Sequence, residues 1–90
     1  VRESQIEKYL CEQVKLRGGE VRKIKWIGRR GAPDRLVLLP SSEPWFIELK
    51  APGKKLAAHQ KREHKTLDKL GAFVKVIDSI EGVNWFLCGR

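Results

Sequence analysis

Two acids and a lysine bracket a pair of apolar segments between residues 31 and 50, and this pattern limits what the chain can become. The stretch runs from Gly31, Ala32, Pro33, Asp34 and Arg35 through an apolar run to Pro44, Trp45, Phe46, Ile47, Glu48, Leu49 and Lys50. Residues 35–39 and 45–50 are predicted as consecutive strands, and the short link through Pro40 and Pro44 makes them antiparallel. Glu48 and Lys50 are two apart, so on a strand they share a face, spaced roughly 6.6–6.8 Å along it. A core strand has no need of a carboxylate and an ammonium on one face, whereas a site that binds a metal and handles phosphate does. In a hairpin the start of one strand lies beside the end of the next, so Asp34, Glu48 and Lys50 converge at one sheet edge. The plainer alternative is that Asp34 caps a turn while Glu48 and Lys50 form a local ion pair.

The flanking chain supplies helices. Residues 4–17 read as a helix with a Ser4/Glu7 capping box, an apolar stripe of Ile6, Leu10 and Val14, and a stop at Gly18-Gly19. Glu7 borders that stripe, so it either completes the cap, forms a surface pair or points toward the site. Residues 21–27 read as the first strand, with Ile24 and Trp26 on one face and Lys23 and Lys25 on the other. Gly28-Arg29-Arg30-Gly31 is a cationic turn, either a basic hairpin loop or a phosphate contact beside Asp34. A turn carrying Lys54 and Lys55 leads to a second helix over residues 56–70, with Leu56, Gln60, Leu67 and Leu70 compatible with one face. His59 and His64 do not face together and are expected at the surface. Residues 73–77 form a fourth strand, and an Asp78/Glu81 capping box opens a short last helix. The helix over 56–70 crosses over, so the fourth strand can lie parallel to the third. The expected fold class is α/β: an α-β-β-β-α-β core with a mixed four-stranded sheet flanked by helices, plus a short C-terminal helix, all in one domain over residues 1–90.

Charge points to a partner. Net charge is +8, and the basic residues are spread along the chain: a solvated basic surface on the plainer reading, a membrane-binding surface on a lesser one, and on the favoured one a footprint that displaces counterions from nucleic-acid phosphates. No apolar run approaches the ~20 residues of a membrane span and no secretory signal is visible, so a cytoplasmic location without a membrane partner is expected. Two cysteines, Cys11 and Cys88, fit no zinc spacing with the two histidines and are expected as buried reduced thiols. Trp26, Trp45 and Trp85 are spread out, which suits core or interface better than a base-stacking platform for RNA.

Two carboxylates at one edge make a hard, oxygen-rich site that suits Mg²⁺ or Mn²⁺. Such an ion lowers the pKa of bound water and polarises a phosphoryl oxygen, and Lys50 adds charge where the transition state builds it. Pro33-Asp34 followed by Glu48-Leu49-Lys50 resembles the PD-(D/E)XK motif of restriction-endonuclease-like nucleases, whose core order is the one expected here. Arg29-Arg30-Gly31-Ala32-Pro33-Asp34-Arg35, Glu48-Leu49-Lys50-Ala51-Pro52-Gly53-Lys54 and the helix with Gln60 resemble the stand-alone phage and bacterial members of the VRR-NUC family. The resemblance implies that Asp34, Glu48 and the Leu49 carbonyl are metal ligands, that Lys50 is the catalytic lysine, and that Gln60 is the glutamine beside the site. It implies that Glu7 is a supporting acid from the first helix, with Glu3 as the competing register. Arg29, Arg30, Arg35, Lys54, Lys55 and Lys61 are then the DNA-binding cations. The implied function is a Mg²⁺- or Mn²⁺-dependent DNA endonuclease acting as a homodimer on branched double-stranded DNA, in the manner of Holliday-junction resolvases. Alternatives are a flap or repair nuclease, or a nucleic-acid-binding module without catalysis.

Overall fold

Ile6, Leu10 and Val14 recur one helical turn apart, and in the computed structural model, which describes residues 1–90, all three are fully buried on helix α1 (Glu3–Leu16). The helix does not start with the expected Ser4/Glu7 box. The Arg2 N–H donates to Gln5 Oε1 at 2.6 Å, so a glutamine in the first turn satisfies the helix end and Glu7 is released for another partner. Gly18, at φ +81°, closes the helix with its N–H on the Lys15 carbonyl at 2.9 Å.

Strands β1 (Glu20–Lys23), β2 (Arg35–Leu38) and β3 (Trp45–Leu49) form an antiparallel meander. Helix α2 (Ala58–Lys69) then leads to β4 (Phe73–Ile77), which pairs parallel to β3, and α3 (Ile80–Leu87) ends the chain. The sheet order is β1-β2-β3-β4, the mixed four-stranded sheet expected from the sequence. β1 is shorter than expected. After Lys23 one more bond, Ile24 N–H to the Asp34 carbonyl at 3.0 Å, extends the ladder. Trp26 then leaves the sheet, and its Nε1–H donates to the Pro33 carbonyl at 2.7 Å while its ring packs 5.4 Å from Phe46. That indole ties the loop after β1 to the residue preceding Asp34.

Strand alternation divides the molecule. On one face Val37, Ile47, Leu49 and Ile77 pack with the α1 stripe and with Val83, Phe86 and Leu87 of α3, forming the main core. On the other face α2 turns Glu63, His64 and Leu67 inward, all three buried. This corrects the helical face read from sequence: Leu56 lies before the helix, and Leu70 is 78% exposed. His64 is buried, not at the surface. Cys11 and Cys88 are exposed, against the expected buried thiols, because Cys11 falls beside the apolar stripe of α1 and Cys88 lies just past the end of α3. The last helix is capped by Ser79 in place of Asp78, with Gly82 N–H donating to Ser79 Oγ at 2.9 Å. Trp45 packs against Phe73 and Phe86, whereas Trp85 is 78% exposed. No helix is long and apolar enough to cross a membrane.

Candidate active site

The β2–β3 register places the acids. Arg35 pairs with Ile47, so one further step along the hairpin sets Asp34 opposite Glu48. Alternation puts Asp34, Glu48 and Lys50 on the α2 side of the sheet, and sends Arg35 with Ile47 to the α1 side. Lys50 Nζ lies 3.6 Å from Glu48 Oε2. The Lys50 N–H donates to the Ile77 carbonyl at 3.0 Å, which holds the strand end in place after regular pairing stops. Glu48 is 7% exposed, while the Asp34 side chain is 56% exposed. Burial, and next the Asp34 charge, push the Glu48 carboxyl above the usual carboxylate range, with Lys50 opposing and Glu3 adding to the rise. The site therefore has a buried acid at its floor, an open acid at its lip and a half-buried ammonium beside the floor.

This donor set fits a hard divalent cation. Two carboxylates face each other across adjacent strands, and their mutual repulsion is what a cation between them would relieve. No three Asp, Glu, His or Cys side chains cluster into a full ligand set. The other positions would fall to a backbone carbonyl, water and substrate oxygens, the way Mg²⁺ is usually held. Leu49, 4% exposed, has its side chain in the core, so only its carbonyl is available for that purpose.

The remaining sequence-predicted residues are distributed differently. Gln60 sits in the first turn of α2, and its Oε1 accepts the Ala57 N–H at 3.0 Å, leaving its NH₂ as the group able to donate elsewhere. Glu7 is held by Arg35: Arg35 Nε donates to Glu7 Oε2 at 2.6 Å, and Nη2 closes on the same oxygen. Arg35 Nη1 also reaches Asp34 Oδ1 at 3.0 Å. Burial works against the Arg35 charge, but the two carboxylates outweigh it and raise its pKa. Its guanidinium, with the side chain 13% exposed, is thus a strut between α1 and the start of β2, not an open phosphate contact. The α1 acid whose charge bears on Glu48 is Glu3, one turn nearer the helix start. Arg30, Lys54, Lys55 and Lys61 are exposed, and Arg29 is exposed but paired with Glu63.

Glu63, which the sequence reading passed over, and His64, which it placed at the surface, lie on the α2 face that packs on the sheet. Glu63 is 8% exposed and takes Arg29 Nη2 on Oε1 at 2.7 Å and Nε on Oε2 at 3.2 Å. His64, 8% exposed, has an Nε2 with no hydrogen-bond partner. Burial lowers its pKa against a raising contact with the Gly31 backbone and the raising charge of Glu63, and Lys50 adds to the fall. The signal that could have found both was spacing: Gln60, Glu63, His64 and Leu67 lie three and four apart, on one helical face.

The fold has counterparts among known proteins. The chain aligns with a solved structure described as a VRR_NUC domain at a TM-score of 0.86 and 40% identity, covering 98% of this chain and 96% of that one. It is 49% identical over 79 residues to a protein of Acyrthosiphon pisum secondary endosymbiont phage 1 named "Putative nuclease p44", covering 88% of this chain and 85% of that protein. No family model matches the chain.

Proposed function

Because the chain belongs to the VRR-NUC family of nucleases, we propose that it is a Mg²⁺- or Mn²⁺-dependent DNA endonuclease whose reacting groups are Asp34, Glu48 and Lys50. The observation that carries this reading is the placement of Asp34 opposite Glu48, with Lys50 on the same face at an open sheet end. Asp34, Glu48 and the Leu49 carbonyl would hold the ion, which supplies Lewis-acid charge to phosphoryl oxygens when bound. Glu48 orients the Lys50 ammonium toward the scissile phosphate, where it offsets the negative charge that grows as the bond breaks. The Gln60 NH₂ donates at the rim of the same site. Lys54, Lys55 and Lys61 lie on the loop and helical turn that follow Lys50, and lengthen the cationic surface for DNA.

The finer reading is a homodimer selective for branched DNA. Its support is exposed apolar side chains: Trp85 on α3, and Phe73 and Val76 on the two faces of the edge strand β4. Surface of that kind is what a second copy covers. The test is a panel of labelled linear duplex, flap and four-way junction substrates with Mg²⁺, Mn²⁺ or EDTA, run beside the molar mass in solution. Cleavage with either metal, none in EDTA and none with Asp34→Asn is expected, with four-way junctions cut fastest by a dimer. Undiminished cleavage in EDTA or by Asp34→Asn would overturn the metal assignment, and equal cleavage of all substrates by a monomer would remove the finer reading.

A further inference from the structure

The turn at residues 28–31 does not project into solvent as a free hairpin loop; it is docked on the first two turns of α2. Gly31, at φ +80°, approaches so closely that an added Cβ would stand 2.9 Å from the Gln60 Cα and 2.9 Å from the His59 carbonyl oxygen. One residue type fits there. Three residues along α2, the buried Glu63 carboxylate grips Arg29 through both oxygens. Between loop and helix runs an open groove of about 290 Å³ that has no apolar lining residue. Its walls include Arg29, Arg30, His59, Arg62, Glu63 and Thr66.

The charges in this groove do not cancel. Glu63 neutralises one guanidinium, while Arg30 and Arg62 make no ion pair. Glu63 occupies the Nε/Nη2 edge of Arg29 and leaves its Nη1 side open. The Thr66 hydroxyl donates to the Arg62 carbonyl at 3.0 Å, so the donors left for a ligand are the guanidiniums and the His59 ring. Several guanidinium forks around one polar groove suit a tetrahedral oxyanion. The groove is also near the proposed chemistry in sequence and space. Arg30 precedes Asp34 by four residues, a span of at most ~14 Å, or about four steps of ~3.4 Å along one DNA strand.

We propose that this groove is a second phosphate subsite, which holds a backbone phosphodiester of the DNA a few nucleotides from the scissile bond. Arg30 and Arg62 contact the phosphate directly, and Glu63 fixes Arg29 beside them. The proposal rests on the nuclease reading and deepens it, by placing a stretch of substrate backbone along α2 in addition to the catalytic edge.

The experiment is equilibrium binding of a labelled duplex by the Asp34→Asn protein across a series of salt concentrations. Added to that background, Arg30→Ala with Arg62→Ala is expected to weaken binding about tenfold or more and to reduce the salt slope by about two. Lys8→Ala with Lys15→Ala removes the same charge from α1 and is expected to change affinity less than about twofold. Arg30 and Arg62 are exposed and unpaired, so thermal melting of the first pair should match the parent; the milder Arg30→Lys with Arg62→Lys should give an intermediate loss. Unchanged affinity and slope in the first pair, or an equal fall in both alanine pairs, overturns the subsite while leaving the nuclease reading intact. Failure of the parent to bind duplex at all overturns both.

Discussion

The two faces of the sheet are built from opposite materials. Toward α1 and α3, Val37, Ile47, Leu49 and Ile77 meet helix stripes that are apolar and fully or almost fully buried. Toward α2, the buried residues are Glu48, Glu63, His64 and a single leucine, Leu67. Burial without apolar contact contributes little stability, and a buried carboxylate subtracts from it. One face therefore carries the fold, and the other can hold charge under strain because it is relieved of that duty. Trp26 and Gly31 show how closely the second face is nonetheless specified: an indole fixes the residue before Asp34, and a glycine lets the loop touch α2.

The largest effects should separate the faces cleanly. Lys50→Ala is expected to lower the cleavage rate at least about 100-fold, while the melting temperature moves by only a few degrees. Ile47→Ala, one strand face away, should do the reverse. Its cavity costs about 2–5 kcal/mol, a drop of more than about 10 °C for a chain of this size, with near-normal turnover at low temperature. Paired melting curves and single-turnover rates check this. A Lys50→Ala protein that unfolds as readily as Ile47→Ala would end the division of labour.

The division also explains what was legible in the sequence. Asp34, Glu48 and Lys50 could be brought together on paper because strand alternation and a short hairpin are local rules. The β2–β3 register then needs only one more step to pair the acids. Ile6, Leu10 and Val14 were visible for the same reason. The α2 face was not, since Glu63 and His64 are residue types that usually lie in water, and apolar Leu70 drew the predicted stripe around the helix. What buries them is the docked turn at residues 28–31, a tertiary contact that no periodicity announces. Arg35 misled similarly: it reads as one more phosphate-facing cation, but alternation turns it to the α1 side and onto Glu7.

That strut gives the next effect. Glu7→Gln leaves the half-buried Arg35 with a weaker partner, at an expected cost of about 1–3 kcal/mol. Cleavage measured below the lowered melting point should persist. Loss of cleavage by folded Glu7→Gln would instead make Glu7 part of the chemical site and blur the line between the faces.

Glu48 tests the strain itself, more gently. Its carboxyl is raised by burial and by Asp34, so the folded state binds the proton more tightly than the unfolded chain does. That contribution favours the fold at low pH and is lost as pH rises through the raised value. At pH 7 in EDTA the native protein thus holds a buried charge that Glu48→Gln removes. The variant should melt slightly above the parent, with the difference shrinking as pH falls through the raised value and gone below ~4.3. Added Mg²⁺ should raise the melting point of the parent and not of the variant. A variant that melts below the parent at pH 7 without metal would mean that Lys50 more than compensates the burial.

The smallest effect expected comes from Glu3, which lies on the helix of the apolar face but whose charge reaches the polar one. Its charge adds to the rise of the Glu48 carboxyl. Glu3→Gln should lower that carboxyl slightly, moving the acidic limb of the cleavage–pH profile to lower pH. The exposed position should leave the melting temperature unchanged. Glu7→Gln should behave as its opposite, with a lower melting temperature and an unshifted acidic limb, because its carboxylate is already matched by Arg35. The two substitutions remove the same charge one helical turn apart. Their contrast therefore reads where along α1 the polar face begins: a shifted limb with Glu7→Gln and none with Glu3→Gln would move that boundary one turn into the helix.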